Sequence, residues 1–130
     1  MKIQLTKTID NQVIEDIFVT ALEGGSNYWY YLPKESVKTI RNAVSESEDP
    51  YLSTAMFKAV MRGAIVIIHD AENEDDAVGM IDIRLIPYRL QKLFDSEYAW
   101  ALDQEIAGKG DAGSSDVVFQ YLAMGEVVYG

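Results

Sequence analysis

The densest group of residues able to do chemistry is the stretch EGGSNYWYY at positions 23–31. Two adjacent glycines, Gly24 and Gly25, allow a tight backbone whose N–H groups can face an anion or a carbonyl. Asn27 can donate and accept hydrogen bonds, and the aromatic side chains after it can stack on a planar ring at about 1–3 kcal/mol per base. The stretch therefore indicates a nucleotide pocket. The alternative is a helix end followed by a core strand whose alternate aromatics are buried.

A second glycine-rich cluster, GKGDAG at positions 108–113, fits the pattern G-x-G-x-x-G. A dinucleotide-binding fold requires a strand before this pattern, whereas the chain predicts a helix there. Asp111 and Asp116 would also repel a phosphate. We predict instead a mobile loop leading to a helix that Ser115 caps; such a helix start can hold an anion or hydroxyl, or can be structural only.

The usual catalytic and metal-binding patterns are missing from the sequence. His69 is the only histidine and there is no cysteine, so paired-histidine and thiolate sites are excluded. The acidic run at 70–76 departs from a calcium loop, because Asp75 replaces the turn glycine and Ile81 replaces the bidentate glutamate. We predict no catalytic residues, no metal site and no cofactor, and we interpret the run as a solvated turn.

The charge and the length of the chain limit the classes of protein to which it can belong. The chain has 130 residues and a formal net charge of −10, from 21 acidic and 11 basic residues. This length predicts one domain over residues 1–130. The acid excess disfavours direct binding to nucleic acid or to an anionic membrane surface. No apolar run is long enough to span a membrane and the first residues do not resemble a signal peptide, so we expect a soluble, cytoplasmic protein.

Hydrophobic periodicity predicts the elements that position these residues. The pattern indicates an α+β class: a single helix-rich domain with a small mixed or antiparallel sheet. Predicted helices cover 10–24 (ended by a left-handed cap at Gly24 or Gly25), 36–44, 53–63, 87–94, 96–106 and 116–124 (ended at Gly125), and predicted strands cover 1–5, 28–32, 64–68, 78–83 and 127–129.

The segments ALEGGSNYW (21–29) and DVVFQ…GEVVYG (116–130) together resemble a family of small uncharacterised bacteriophage and prophage proteins. That family has motifs of the type ALEGG-x-NYW and D-A-D-x-x-x-Q-x-x-x-x-GE-x-V-x-G. Here Ser114-Ser115-Asp116 stands where Asp-Ala-Asp is usual, which removes one carboxylate and weakens a metal-site interpretation. Met124 replaces a phenylalanine. The resemblance implies a pocket shared by both segments and a host-cell cytoplasmic location, but it carries no activity.

The shared pocket defines the predicted ligand-binding residues. We expect Glu23, Asn27, Gln120 and Glu126 to converge on it, with Tyr28 or Trp29 as a wall. The full predicted set is Glu23, Gly24, Gly25, Ser26, Asn27, Tyr28, Trp29, Asp116, Gln120 and Glu126.

Three classes of function stay open at this point. The favoured one is a phage-type protein that binds a small nucleotide-derived ligand, such as a defence signal, without catalysis. The second is an acidic inhibitor that occupies the basic groove of a host nucleic-acid-binding effector. The third is a small enzyme using Glu23, Asp116 or Glu126 as general acid or base on a nucleotide-like substrate. Exposed aromatics such as Tyr51, Tyr88 and Trp100 would allow a homo-oligomer.

Overall fold

The computed structural model describes residues 1–4 and 6–130. These residues form six α-helices and one three-stranded antiparallel sheet, which confirms the predicted α+β class. In chain order the elements are α1 (Asn11–Thr20), a π-helical turn (Ala21–Gly25), β1 (Tyr30–Tyr31), α2 (Lys34–Ala43), α3 (Leu52–Met61), β2 (Val66–Asp70), β3 (Ala77–Ile81), α4 (Ile86–Phe94), α5 (Ala99–Ile106) and α6 (Ala112–Met124).

Helix α1 begins as predicted and ends differently. The Asp10 carboxylate caps it by accepting a hydrogen bond from Val13 N at 3.1 Å. The predicted left-handed glycine cap is wrong, because neither Gly24 nor Gly25 has a positive φ. Instead the helix widens into the π-helical turn, in which Ser26 N donates to Ala21 O at 2.8 Å. Local propensity suggested a stop, but contacts with α6 favour the wider turn.

The sheet has the order β1-β2-β3, with both pairs antiparallel. Val66 and Ile68 of β2 point into the core, while Ile67 on the other face is exposed. Strand β1 is shorter than the predicted strand 28–32, because Trp29 N and Tyr30 N donate to Ser26 O and form a turn before it. The predicted hairpin of two strands joined by the acidic run is confirmed.

Two predicted terminal strands do not form among the described residues. Residues 1–4 have no regular secondary structure, and Leu5 lies outside the described part of the chain. Residues 127–129 run past α6 without joining the sheet. Their backbone is bound by a side chain instead of a neighbouring strand, as described below.

Helix α6 is the central element and contacts α1, α4, α5, β3 and the π-helical turn. Its cap is Asp111, not Ser115 as predicted: Asp111 Oδ1 accepts from Ser114 N, and Ser114 Oγ accepts from Asp111 N, both at 2.9 Å. Much of the predicted mobile loop is therefore the first turn of a helix. Gly125, with φ of +76°, ends α6 as predicted.

The core lies around the middle of α6. Phe119 packs edge-on against Phe18 of α1 at a centroid distance of 5.8 Å, and Trp29 lies 5.9 Å from Phe119. All three side chains are almost fully buried. Burying such large rings supplies much of the hydrophobic stabilisation of a small domain. The packing also presses the EGGSNYW turn against α6.

No helix in residues 1–4 and 6–130 is long and apolar enough to cross a membrane.

Candidate functional site

The two motif segments meet at the carboxylate of Asp116. Asp116 Oδ1 accepts hydrogen bonds from Ser26 Oγ and Trp29 Nε1, each at 2.8 Å. Asp116 Oδ2 accepts from Tyr28 OH at 2.5 Å and from Gln120 Nε2 at 3.2 Å. These residues are called the Asp116 network below. Asp116 is only 8% exposed, and four neutral donors satisfy the lone pairs of its carboxylate.

Gln120 extends this network to the C-terminal segment. Its side-chain oxygen accepts from Val128 N at 2.8 Å and from Tyr129 N at 2.9 Å. Its side-chain nitrogen donates to Tyr129 O at 3.0 Å. The amide of Gln120, which is fully buried, therefore binds the backbone of residues 128–129 as a neighbouring strand would.

Tyr129 occupies the face of Trp29 that was predicted to stack on a ligand. The two rings are stacked, with centroids 5.1 Å apart and planes within 10° of each other. The Tyr129 hydroxyl donates to Asp70 Oδ2 at 2.6 Å, at the start of the acidic run. The chain itself thus supplies the aromatic partner that the motif indicates.

The electrostatics of this region come from two tyrosines that face carboxylates. Burial of its hydroxyl end and the hydrogen bond to Asp116 raise the pKa of Tyr28 to about 12. Burial and the hydrogen bond to Asp70 raise the pKa of Tyr129 to about 12 in the same way. Both hydroxyls are therefore donors over the physiological pH range, and neither is a candidate base.

The Asp116 network has no unsatisfied buried polar group to offer a ligand, although the Tyr28 side chain is 52% exposed. Throughout the described residues, every buried side-chain nitrogen or oxygen has a hydrogen-bond partner. A ligand could reach Gln120 or Trp29 only by displacing residues 128–129. As it stands, the network fastens three parts of the chain together: the turn, α6 and the C-terminal segment.

The structure brings together half of the predicted site residues. Ser26, Tyr28, Trp29, Asp116 and Gln120 form the network described above.

The other predicted residues lie outside the network. Glu23, Asn27 and Glu126 are exposed. Gly24 faces open space, and a side chain on Gly25 would come within 2.6 Å of Ala112 O. Gln120 is thus buried away from the exposed residues it was expected to meet. Ligand contact by these residues stays a prediction.

An open groove lies beside the turn, on the wall that carries Glu23. Its volume is about 320 Å³. We call it the Glu23 groove; its lining residues are Leu22, Glu23, Tyr30, Leu32, Pro50, Tyr51, Leu52 and Ser53. Among the described residues of this lining, Glu23 is the only one with a charged side chain. Burial raises the pKa of Tyr30, and the nearby Glu23 carboxylate raises it further, so the Glu23 charge acts on the groove wall.

Hydrogen bonds fix the backbone of Tyr51, while its aromatic ring is exposed to solvent. Tyr51 N donates to Asp49 Oδ1 at 3.0 Å, and Arg41 Nη1 donates to Asp49 O at 2.6 Å. The buried Asp49 carboxylate also binds Thr54 Oγ1 at 2.5 Å and Lys58 Nζ at 3.0 Å. The Tyr51 side chain is 66% exposed. A fixed backbone with an exposed ring suits stacking on a planar ligand. The sequence indicated only that Tyr51 is exposed, not that it lines the same groove as Glu23.

Another buried carboxylate, that of Glu105 on α5, accepts hydrogen bonds from neutral donors, as Asp116 does. Ser114 Oγ and Ser115 Oγ donate to its Oε1 at 2.8 and 2.5 Å. A side chain at Gly110 would clash with this carboxylate, so Gly110 covers it closely. Glu105 fastens α5 to the first turn of α6, which sequence patterns did not reveal. Ser115 serves this contact instead of the predicted cap.

Among residues 1–4 and 6–130, no group of three or more metal-binding side chains lies close enough to hold an ion. His69 lies near the end of β2, where its Nδ1–H donates to Glu74 O at 2.6 Å and closes the acidic turn.

Comparison with known proteins gives no match to any family model, to any curated protein or to any solved structure.

Proposed function

We propose that this protein binds a small nucleotide-derived ligand in the Glu23 groove and does not transform it. The base stacks on the ring of Tyr51, and a base amino group or a ribose hydroxyl donates to the Glu23 carboxylate. The observation that carries the proposal is an exposed aromatic ring and an exposed carboxylate on one open groove next to the motif turn. The site of action would be the cytoplasm, or the host cytoplasm if a phage encodes the chain.

Size and composition of the groove support a ligand of this class. A volume of about 320 Å³ lies at the lower end of the range for small-molecule sites, roughly 300–1,000 Å³. Leu22, Leu32 and Leu52 give apolar walls, while Ser53 and Tyr30 add hydroxyls. Such sites combine apolar surface with a few polar groups that orient the ligand. A nucleoside matches this combination.

Charge decides which part of a nucleotide enters. Glu23 is the only charged residue among those described in the groove lining, and the whole chain carries a formal net charge of −10. A phosphate next to this carboxylate would be repelled, whereas amino and hydroxyl donors would be attracted. We therefore infer that the base and ribose enter and that any phosphates stay in solvent. This refines the earlier expectation, in which glycine N–H groups received an anion.

The test is calorimetric titration of the protein with adenosine, cytidine and uridine, followed by the matching monophosphates. We expect saturable binding of adenosine or cytidine, whose exocyclic amino groups can donate to Glu23, and weaker binding of uridine. Adding a 5′-phosphate should not strengthen binding. Chromatography should recover the nucleoside unchanged. No saturable binding at millimolar concentrations of any of the three nucleosides would contradict the proposal.

Two matched pairs of variants locate the site. Tyr51→Ala should weaken nucleoside binding at least tenfold, because it removes the stacking face, whereas Tyr88→Ala changes an equally exposed tyrosine on α4 and should not. Glu23→Gln should reduce the preference for adenosine over uridine, with the exposed Glu46→Gln as its control. Equal losses in a variant and its control would place binding elsewhere.

A second candidate function, the acidic inhibitor, is favoured by one observation. Glu72, Glu74, Asp75 and Asp76 are all exposed at the end of the β2–β3 hairpin. A projecting acidic loop could enter a basic groove of a nucleic-acid-binding protein. We would test whether the protein releases a host effector from DNA, and whether release is lost when all four residues are changed to their amides. If that variant released the effector from DNA as well as the wild type does, the acidic loop would not be the inhibitory element.

A further inference from the structure

A larger groove lies between the N-terminal segment and helices α1, α4 and α5. We call it the N-terminal groove. Its volume is about 440 Å³. Its described lining residues are Gln4, Thr6, Lys7, Ile9, Ile14, Ile86, Pro87, Leu90, Gln91, Phe94 and Leu102. None of them lines the Glu23 groove, so this is a separate feature of the molecule.

The walls and floor of the N-terminal groove are apolar. Ile14, Ile86, Leu90 and Leu102 are buried core residues, and Phe94 is partly buried against them. These side chains come from three different helices, so the floor is backed by the core and is preformed. Polar side chains come from the N-terminal segment and from Gln91. This arrangement, apolar inside and polar at the edge, is typical of a small-molecule site.

Lys7 brings a cation to the N-terminal groove of an acidic protein. Among its described lining residues, Lys7 is the only charged one, and no carboxylate is present. The chain as a whole has 21 acidic residues against 11 basic ones. Asp103 lies outside this lining and pairs with Lys7, so an anion on an apolar body can bind here by taking the place of Asp103.

Lys7 is held loosely enough to bind a ligand. Its ammonium pairs with Asp103, and both side chains are nearly half exposed. It also lies 5.7 Å from the centroid of the Phe94 ring, which keeps it at the groove. Exposed ion pairs contribute little to stability, so a ligand carboxylate in a drier setting can replace Asp103 as the partner.

We propose that the N-terminal groove binds an amphipathic carboxylate: an unbranched apolar chain lies on the helices, and its one carboxylate pairs with Lys7. Medium-chain fatty acids are the probe for this class, since the groove volume suits a molecule of this size. The inference does not depend on the nucleoside proposal.

The experiment is titration of the protein, by calorimetry, with three molecules that share a twelve-carbon chain and differ in charge, each below its micellar concentration. They are dodecanoate, dodecanol and dodecyltrimethylammonium. We expect saturable, one-to-one binding of dodecanoate, at least tenfold tighter than that of the cation, with the alcohol between them. Absent or non-saturable dodecanoate binding, or a cation that binds as tightly, would overturn the proposal.

Two pairs of variants then test separately how the groove binds the carboxylate of the ligand and how it binds the ligand's hydrocarbon chain. Lys7→Gln should weaken dodecanoate binding at least fivefold and leave dodecanol binding unchanged. Lys38→Gln, at an exposed site on α2, should change the affinity for neither molecule. Gln91→Trp should fill the groove and weaken the binding of both dodecanoate and dodecanol. Tyr88→Trp, on the same helix but outside the lining, should weaken the binding of neither. If Gln91→Trp fails to fold, Lys7→Gln still decides, and equal effects of Lys7→Gln and Lys38→Gln would overturn the proposal.

Discussion

The Asp116 network and the Glu23 groove lie on neighbouring surfaces of the same turn and use similar residue types in opposite ways. In the network, Asp116 is buried and every donor around it is engaged. In the groove, Glu23 and Tyr51 are exposed. The Tyr28 hydroxyl and the Asp116 carboxylate therefore hold parts of the chain together in the network, whereas the Glu23 carboxylate and the Tyr51 ring are accessible in the groove. Five of the ten residues that the sequence predicts to bind a ligand belong to this structural network.

This contrast has an energetic consequence. A buried carboxylate without a cation is stable only while neutral donors satisfy its lone pairs, and each donor in turn needs the acceptor. Changes in the network should therefore lower the free energy of unfolding, whereas changes in the groove should alter binding and leave stability nearly unchanged. The predictions below use this separation.

The largest effect is expected for Asp116→Ala. This change leaves the buried Trp29 Nε1 and Ser26 Oγ without their acceptor. We expect the free energy of unfolding to fall by about 3–5 kcal/mol, as when a buried polar network is broken. Urea denaturation measures it, with the exposed Asp75→Ala as the control, expected within about 0.5 kcal/mol of wild type. A loss below 1 kcal/mol for Asp116→Ala would mean that the network is not structural.

The two glycines of the turn give the next largest contrast. Gly25→Ala would place a Cβ 2.6 Å from Ala112 O, so the turn and α6 must separate, at about 1–3 kcal/mol of stability. Gly24→Ala meets nothing within 4 Å and should be neutral or stabilising by up to about 1 kcal/mol. Thermal unfolding of both variants measures the difference. Equal effects would show that the turn does not pack on α6 as described.

A smaller loss is expected for Tyr129→Phe. The change removes the hydrogen bond to Asp70 and keeps the stacking on Trp29. We expect a loss of about 0.5–1.5 kcal/mol in the free energy of unfolding. Tyr88→Phe, on the exposed surface of α4, is the control and should be silent. If the two variants unfold alike, the C-terminal segment is not fastened by this contact.

The smallest effect is a pH dependence on the alkaline side. Tyr28 and Tyr129 have pKa values near 12 in the folded protein, above the value of about 10 in the unfolded chain. The unfolded state then loses protons first as the pH rises from 10 to 12, so stability is full below pH 10 and declines through this window. Urea midpoints at pH 9 and pH 11 measure it. The decline should be shallower in Tyr28→Phe and Tyr129→Phe, and an unchanged slope would contradict the assignment.

Sequence periodicity predicts much of the fold, because helix faces and alternating strands are local signals. The cap at Asp10, the hairpin of β2 and β3 and the left-handed Gly125 all follow from neighbouring residues. The π-helical turn does not, since it depends on how closely Gly25 approaches Ala112. Likewise Asp111, and not the predicted Ser115, caps α6: Asp111 and Ser114 cap it reciprocally, while the Ser115 hydroxyl donates to Glu105 on another helix.

For the site, the sequence predicts which segments meet but not how they meet. Ser26, Tyr28 and Trp29 converge with Asp116 and Gln120, so the two segments meet as expected, but they form a hydrogen-bond network, and the shared ligand pocket stays a prediction. That Tyr129 fills the face of Trp29 follows only from the path of the chain after α6. Both grooves are formed by residues far apart in sequence, so no local motif could indicate them.

The most direct measurement is nucleoside affinity and stability in two tyrosine variants, Tyr51→Ala and Tyr28→Phe. We predict that Tyr51→Ala weakens adenosine or cytidine binding at least tenfold without shifting the urea midpoint. Tyr28→Phe, which removes one donor to Asp116, should lower the midpoint and keep the affinity. The reverse result, affinity lost in Tyr28→Phe and kept in Tyr51→Ala, would place the ligand in the network and contradict this account.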